Sequence, residues 1–441
     1  MSVESEIRIE GSGRRALGLA TLAFFGGFAG VAIFGPMVPR FTSLLHLTPL
    51  EAGVLASIPN LTGSLLRIPF GAWVDRVGGR RPLTLLLGLT LVGMAGLLTL
   101  LRTAYPERMD GTFPLLLALG GLIGCGVATF SVGIAQVSYW FPRERQGGPL
   151  GVFAGLGNTS PGLSSWLLPV AAGSLGLLSA YGLWFLALLI ITVVYAWFIR
   201  DAPWFQLRRW GGGIEATRLP ELEAGPVPSG STWHGLELAA REPATWALVF
   251  FYFVSFGGFL ALTAWLPTYW HAVYAVSLTT GGLLTLVFSL LTALVRVPGG
   301  LLSDRLSIRY ALAGNFALML VASLVAAFSQ SFGLSLAALV GIALGMGLQN
   351  AIVFKLLPRF VPHAVGGASG WVGGLGALGG FVLPPIMGSI AGAMTGPIGY
   401  ERGFLVFSGL VVLGLAVTAW LARQRRSKVP APRGRFRVPR T

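Results

Sequence analysis

The chain has 441 residues, 54% of them apolar and only 11% charged, and a soluble protein of this length has far more surface than so few charges can cover. A single cysteine, Cys125, excludes an intrachain disulfide framework and a cysteine-based metal centre, while His46, His234, His271 and His363 are too scattered for metal-ligand spacing. This is the composition of a polytopic membrane protein, and its 63 glycines, about twice the average share, suit close packing of helices in lipid.

Twelve apolar runs follow one another, each near the ~20 residues that span a bilayer. They cover about 16–38, 50–74, 81–102, 112–140, 148–172, 176–199, 244–270, 278–303, 308–329, 332–357, 364–394 and 402–423. Met1 to Gly13 is polar and does not read as a cleavable signal, so the first run is expected to stay in the mature chain. Residues 200–243 form the longest polar stretch, with Gly211–Gly213, Pro220, Pro226 and Pro228 as breakers. The expected organisation is a six-helix bundle over 1–199, a cytoplasmic linker over 200–243, a second six-helix bundle over 244–423 and a basic cytoplasmic tail over 424–441.

The net charge of +15 raises nucleic acid as a partner, and its distribution argues against one. The amino end with Arg8, Arg14 and Arg15, the even-numbered connections and the tail from Arg423 to Arg440 place twenty-five basic residues on one face. The other face holds four: Arg40, Arg102, Arg108 and Arg402. By the positive-inside rule both termini are cytoplasmic, in a multi-pass protein of the cytoplasmic (inner) membrane. The tail reads as a topology and lipid-surface signal. The expected partners are the bilayer and a small solute, with no nucleic acid, and the chain is expected to be monomeric. Two basic residues remain, Arg67 and Arg296, and both fall inside apolar runs.

An internal repeat crosses the linker. Leu65–Arg81 reads LLRIPFGAWVDRVGGRR and Leu294–Tyr310 reads LVRVPGGLLSDRLSIRY, with seven identities in seventeen positions at a constant offset of 229. The identities include Arg67/Arg296, Pro69/Pro298, Gly71/Gly300, Asp75/Asp304 and Arg76/Arg305, and FGGF recurs at Phe25–Phe28 and Phe256–Phe259. Two six-helix halves related by an axis along the membrane normal are the plan of one large transporter class. The segment GAWVDRVGGRR resembles the signature loop of the major facilitator superfamily, and Gly300, Asp304, Arg305 and Arg309 sit where that family repeats it. The resemblance covers essentially all twelve runs. It implies an all-α polytopic fold of twelve transmembrane helices in two pseudo-symmetric six-helix bundles.

A narrower resemblance rests on other segments. GLGNTSPG (Gly155–Gly162) and GWVGGLGALGGFVLPP (Gly370–Pro385) look like the paired glycine-rich signatures of the nitrate/nitrite porter family within that superfamily. LLRIPFG and LVRVPGG are similar to its arginine-bearing second and eighth helices, YFVSFGGF (Tyr252–Phe259) to its seventh and ATFSVGIAQ (Ala128–Gln136) to its fourth. The fifth-run copy departs from the family's usual extra glycines, with Thr159, Ser160 and Pro161 after Asn158. The resemblance implies nitrate and nitrite as the substrates.

The residues argue for an anion site without the family. Arg67 and Arg296 each lie eight residues before an aspartate at a helix end, Asp75 and Asp304. At ~1.5 Å per residue that is ~12 Å inside, close to the middle of a ~30 Å core. Each costs about 2.5–3.5 kcal/mol there on insertion scales. No acid shares that depth: Glu51, Asp75 and Asp304 stand at helix ends and the other acids fall in tails or loops. The missing negative charge is then most simply the substrate. Two planar guanidinium forks suit a small flat oxyanion such as nitrate or nitrite better than chloride or phosphate. Phe130, Tyr252 and Phe256 are candidate walls, and the Tyr252 hydroxyl and the Asn158 amide candidate donors at the edge. Ordinary helix packing is the competing account of each aromatic, and snorkelling or bonding to helix carbonyls that of the arginines.

Asp75 with Arg76 and Asp304 with Arg305 are expected to lock a cytoplasmic gate; the competing account is topology marking and helix capping. Gly155, Gly157 and Gly162 are expected to face Gly373, Gly374, Gly376, Gly379 and Gly380, so that two helices approach and slide. No cofactor is expected. No nucleophile, metal cluster or phosphate loop suggests an enzyme. No carboxylate or histidine falls at midplane depth to carry a proton, which favours exchange of nitrate for nitrite by alternating access. The alternatives are a proton-coupled nitrate symporter, with water or a distant group such as Lys355 taking part, and a facilitator-type carrier of another small monovalent anion.

Overall fold

The computed structural model describes residues 9–142, 145–209, 232–296, 299 and 308–428. Polar side chains mark where helices begin. Ser12 Oγ accepts the Arg15 N–H at the start of α1 (Gly13–Leu45), which passes through 3₁₀ turns at Ala29–Ala32 and Gly35–Met37. Thr48 and Glu51 cap each other reciprocally at the start of α2 (Pro49–Val77), with Pro49 in its first turn. The first half continues through α3 (Arg80–Ala104), α4 (Phe113–Ser138), α5 (Gly147–Gly157), α6 (Ser160–Leu175) and α7 (Leu177–Phe198).

Two shorter helices, α8 (Pro203–Arg209) and α9 (Thr232–Ala240), occupy part of the stretch expected to be a linker. The second half comprises α10 (Pro243–Tyr274), α11 (Leu278–Leu294), α12 (Ile308–Phe328), α13 (Phe332–Phe360), α14 (Pro362–Gly392) and α15 (Leu405–Lys428). Among the described residues nine helices are long and apolar enough to cross a bilayer. Three segments complete the twelve: α2, which carries Arg67 and three charged residues near its ends; the α5–α6 pair, divided at Asn158–Thr159; and the 17-residue α11.

α2 runs from Glu51 at one end of the molecule to Asp75 at the other. At the Glu51 end the halves meet along two seams where backbones nearly touch. A Cβ on Gly53 of α2 would lie 2.5 Å from the Pro384 carbonyl oxygen of α14, and one on Gly282 of α11 would lie 2.2 Å from the Ser165 carbonyl oxygen of α6. Across the first seam Ser57 Oγ donates to the Phe381 carbonyl at 3.2 Å and Asn60 Nδ2 to that of Gly380 at 3.2 Å. Towards the Asp75 end the halves part around a cavity of about 620 Å³.

α9 borders this cavity with Gly235 and Leu236. It is fastened to α14 by a 2.9 Å bond from Trp371 Nε1 to the Leu236 carbonyl and by the close approach of Gly367 to the Gly235 carbonyl. The stretch after 200 therefore includes a docked structural element, which its polarity alone does not reveal.

The turn between α2 and α3 is held by an aspartate from beyond α7. Asp201 is buried; its Oδ1 accepts the Arg80 backbone N–H at 2.9 Å and its Oδ2 accepts from Arg209 Nη2 at 2.6 Å. Gly78, at φ 85°, makes the turn and leaves no room for a side chain against Asp201. Asp201→Ala strands the Arg80 N–H, which costs about 1–3 kcal/mol. The expected result is a lower midpoint of thermal unfolding in detergent, with a smaller loss for Asp201→Asn, which keeps the acceptor; an Asp201→Ala midpoint equal to wild type would refute this role.

Candidate functional site

Arg67 is 2% exposed in the middle of α2, and its fork is turned onto backbone. Nη1 donates to the Gly373 carbonyl of α14 at 3.2 Å and Nη2 to the Val127 carbonyl of α4 at 3.4 Å, while Nε has no partner. Both acceptors stand at irregular backbone. Val127 lies inside a 3₁₀ turn, Cys125–Ala128, and Gly373 three residues before another, Gly376–Leu378. Such turns within a helix change which carbonyls are left for side chains, and at membrane depth they are tolerated only where protein surrounds them.

Two aromatic rings flank the guanidinium: its Cζ is 5.2 Å from the Phe130 centroid and 5.1 Å from that of Phe256. Arg296, just beyond α11, completes the arrangement. Its Cζ is 5.4 Å from the same Phe256 ring, and its Nη2 reaches the Tyr252 hydroxyl at 3.5 Å. The repeat thus delivers two cations to one aromatic ring. A cation near a ring face is attracted by its quadrupole, by about 2 kcal/mol or more when desolvated. That offsets part of the burial cost and leaves each charge unneutralised. The ion pairs seen between described residues, Arg200–Glu10, Arg209–Asp201 and Arg241–Glu237, lie elsewhere.

Tyr252 precedes a π-helical turn of α10, Phe253–Gly257, that contains Phe256, and the two rings stack at 4.8 Å with 10° between planes. The Phe251 carbonyl entering that turn accepts from both Ser255 Oγ at 2.9 Å and Gln349 Nε2 at 3.1 Å. Gln349 in turn accepts from Asn315 at 2.9 Å, so a buried amide pair braces the bulge that presents the two rings. The cavity reaches Arg67, Phe130 and Gly373 and extends past Ser131 and Phe354 to Asp75 and His363.

Five of the six expected site residues, Arg67, Arg296, Tyr252, Phe256 and Phe130, are linked in one cluster. Asn158 is buried at the α5–α6 junction and donates from Nδ2 to the Ala154 carbonyl of its own helix at 2.6 Å, with Oδ1 unpartnered. Among the described residues no bond joins it to either arginine or to Tyr252, so its expected place as an edge donor is not seen in this state. A buried amide next to a helix break satisfies its nearest carbonyl first.

The two glycine sets do not face each other. Gly157 packs against the Phe24 ring, Gly155 meets nothing within 4 Å, Gly374 lies on Ile68 and Gly376 on Tyr252. Gly373 also meets nothing and opens on the cavity. α6 instead approaches α11, with Gly162 against Ser289, and α14 approaches α2 and α10. A glycine reports that something is close without saying which helix it is.

At the expected gate, Asp75 Oδ1 accepts from the Tyr139 hydroxyl at 2.6 Å, and the Arg76 carbonyl accepts from Arg208 at 3.4 Å. Asp304 and Arg305 lie outside the described residues. Tyr139, Gln349, Asn315 and the carbonyls of Val127 and Gly373 were not singled out from sequence. Only ATFSVGIAQ and the α14 glycine signature, which contain or adjoin some of them, pointed to the neighbourhood.

The profile of the Major Facilitator Superfamily matches residues 20–384 and, overlapping, 273–441. The chain is 32% identical over 408 residues to the "Probable nitrate/nitrite antiporter NarK1" of Thermus thermophilus, covering 87% of this chain and 86% of that one. It is 31% identical over 408 residues to the "Probable nitrate/nitrite transporter NarK2" of Mycobacterium tuberculosis, covering 92% and 96%. The chain belongs to the major facilitator superfamily, in its nitrate/nitrite porter family. A further relative of this major facilitator protein is the "Nitrite extrusion protein" of Bacillus subtilis, 28% identical with 95% and 96% covered.

Solved structures share the fold at low identity. The xylose transporter XylE of E. coli, in a partially occluded inward-open conformation, superposes with a TM-score of 0.69 at 13% identity, covering 96% of this chain and 99% of that one. A bacterial homologue of the human lysosomal transporter Spinster gives 0.67 at 15%, covering 96% and 100%. This is a multi-pass membrane transporter and not an enzyme.

The α14 glycines allow a direct test of the packing. A Cβ on Gly376 would stand 2.8 Å from Tyr252 Cδ1 and 3.3 Å from the Phe253 nitrogen, whereas one on Gly373 meets nothing. Gly376→Ala is expected to destabilise by about 1–3 kcal/mol through overpacking, and Gly373→Ala by less than about 0.5 kcal/mol. Thermal unfolding of the two purified variants measures both, and equal midpoints would contradict the assigned contacts.

Proposed function

We propose that the chain carries nitrate and nitrite across the membrane by alternating access, exchanging one for the other, with the anion held between Arg67 and Arg296. The observation that carries this reading is the meeting of two guanidiniums at one ring, Phe256, with Arg67 buried and Arg296 half-buried and no acid bonded to either among the described residues. The relatives' names supply the chemical identity of the anion: "nitrate/nitrite antiporter" for one and "nitrite extrusion" for another. Nitrate and nitrite are planar and singly charged, which suits bidentate forks lined by aromatic faces.

Orientation follows from the charges. With the basic termini in the cytoplasm, the cavity opens inward and the Glu51 end is the closed outer gate. The six-helix halves over 1–199 and 244–423 are then the bodies that rock about the arginine pair, and a single chain forms the transport unit. Tyr252, bonded to Arg296, and Phe130, beside Arg67, form the walls of the slot; Asn158 would join it only by leaving Ala154. An empty doubly positive site resists reorientation, because moving it costs desolvation that a bound anion offsets. That penalty makes the return journey depend on a second anion, which is exchange.

A second reading is favoured by one observation. Asp75 and His363 lie on the wall of the same cavity, and either could pass a proton in a symport cycle.

Vesicles reconstituted with the protein and loaded with labelled nitrate separate the readings. External nitrite should release the label at a rate changed less than about twofold by an imposed pH gradient; strict dependence on that gradient would establish symport, and release by lactate a broader monocarboxylate carrier. Arg67→Lys and Arg296→Lys keep the charge and lose the fork. Each should slow exchange by at least about a hundredfold, the value of two charge-assisted hydrogen bonds of ~1.5 kcal/mol, with unfolding midpoints close to wild type. Exchange at the wild-type rate in either variant would remove the arginine pair from the mechanism.

A further inference from the structure

The Nε edge of Arg67 has an unpartnered neighbour. Ser64, one helical turn before Arg67 on α2, is 0% exposed, and its Oγ has no hydrogen-bond partner. Residues three apart share a helix face. Most buried serines and threonines of this molecule are hydrogen-bonded. Ser57, Thr90, Ser255, Thr285 and Thr292, all buried within helices, each donate to the carbonyl four residues back at 2.8–2.9 Å. Ser64 makes no such bond to Asn60. A buried hydroxyl left unmade carries a desolvation penalty, so its retention needs a reason.

Two contacts place the Arg67 guanidinium at the level of Ser64 and not of its own backbone. Nη2 bonds to Val127, the residue whose Cβ would lie 2.4 Å from a Cβ on Gly63. Nη1 bonds to Gly373, and a Cβ on its neighbour Gly374 would stand 3.4 Å from the Ser64 carbonyl oxygen. Long helical side chains fold back towards the helix N-terminus, which is the direction these contacts require. Arg67 Nε–H and Ser64 Oγ–H are therefore two unpartnered buried donors on one face of α2, at the level where α4 and α14 approach it. Backbone carbonyls accept one N–H from each of Nη1 and Nη2, leaving the other N–H of each, and no carboxylate is bonded there among the described residues. Ser160, Ser289, Thr245 and Thr268 are also unpartnered, but Ser160 begins α6, Ser289 packs on Gly162 two turns from Arg296, and Thr245 and Thr268 lie towards the two ends of α10.

We propose that Ser64 is a direct binding residue for the transported oxyanion, its hydroxyl donating to an oxygen that also accepts from the free Nε of Arg67. This rests on the anion site proposed above and adds a ligand to it. A neutral donor beside the guanidinium adds affinity for an anion without adding charge, and it leaves the bonds from Arg67 to Val127 and Gly373 in place.

Stabilisation of the purified protein against thermal unfolding, read across a nitrate titration, tests this on wild type, Ser64→Ala and Arg67→Lys. Nitrate should raise the wild-type midpoint and leave that of Arg67→Lys unmoved. In Ser64→Ala the half-maximal nitrate concentration should rise at least about tenfold, the worth of one hydrogen bond to a charged group. The midpoint without nitrate should stay the same or rise, because removing an unsatisfied hydroxyl relieves a penalty. Nitrate protecting wild type but not Arg67→Lys, with Ser64→Ala within twofold of wild type, would overturn the role of Ser64 and leave the arginine site standing. Nitrate failing to protect wild type at any concentration would overturn both. Ser64→Cys, close in shape and a weaker donor, should fall between serine and alanine; a value equal to serine would show that shape and not donation is what matters.

Discussion

A buried guanidinium and a half-buried one share one phenylalanine ring, and most of the central architecture answers the cost of placing them there. A cation in hydrocarbon needs a counter-ion, water or oriented dipoles. This protein supplies dipoles and ring faces: the carbonyls of Val127 and Gly373, the Tyr252 hydroxyl, and the faces of Phe130 and Phe256. None of these carries a full negative charge. The compensation lowers the cost of burial and leaves the electrostatic potential positive, the condition under which a small anion gains by entering.

The dipoles are available because the helices are irregular at the right depth. The 3₁₀ turn in α4, the π turn in α10 and the 3₁₀ turn in α14 all adjoin the arginine pair. Glycine makes this crossing possible. Gly257 and Gly379 bring α10 and α14 so close that a Cβ on either would press on the backbone of the other. The polar brace Asn315–Gln349–Phe251 then holds the π turn from behind, so the rings facing the cations are positioned by the core of the second half.

What the sequence revealed and what it hid divide along physical lines. A repeated arginine in an apolar run is conspicuous because charge at that depth is costly, so Arg67 and Arg296 were legible together with the aromatic segments beside them. The superfamily fold was legible from the number of runs and the duplicated loop. Helix partners were not: the glycines of α5 and α14 show small faces, and only the packing shows that Gly157 meets Phe24 and Gly376 meets Tyr252. Carbonyl ligands were invisible because every residue has one, and its availability depends on the local turn. In sequence Asp201 reads as a loop acid; its burial depends on a contact 121 residues away in the chain. Asn158 was legible as a buried polar residue, but the direction of its amide follows from the helix break beside it.

Under the proposed exchange, the helix that carries the cation also carries the outer seam. α2 holds Gly53, Ser57 and Asn60 against α14 on one side of Arg67 and lines the cavity with Ile68, Gly71 and Asp75 on the other. Arg67 is itself a tie between the halves, since its Nη1 bond crosses from α2 to Gly373 of α14. Opening the outer seam means separating the same two helices, so it strains or breaks that bond and exposes a cation that has lost an acceptor. An anion already on the guanidinium replaces the missing acceptor with a charged one, and the strain becomes tolerable. The bond between Arg67 and Gly373 thus gives the halves a reason to stay together when the site is empty. The excess positive charge gives them a reason to admit an anion, and both reasons act through one side chain.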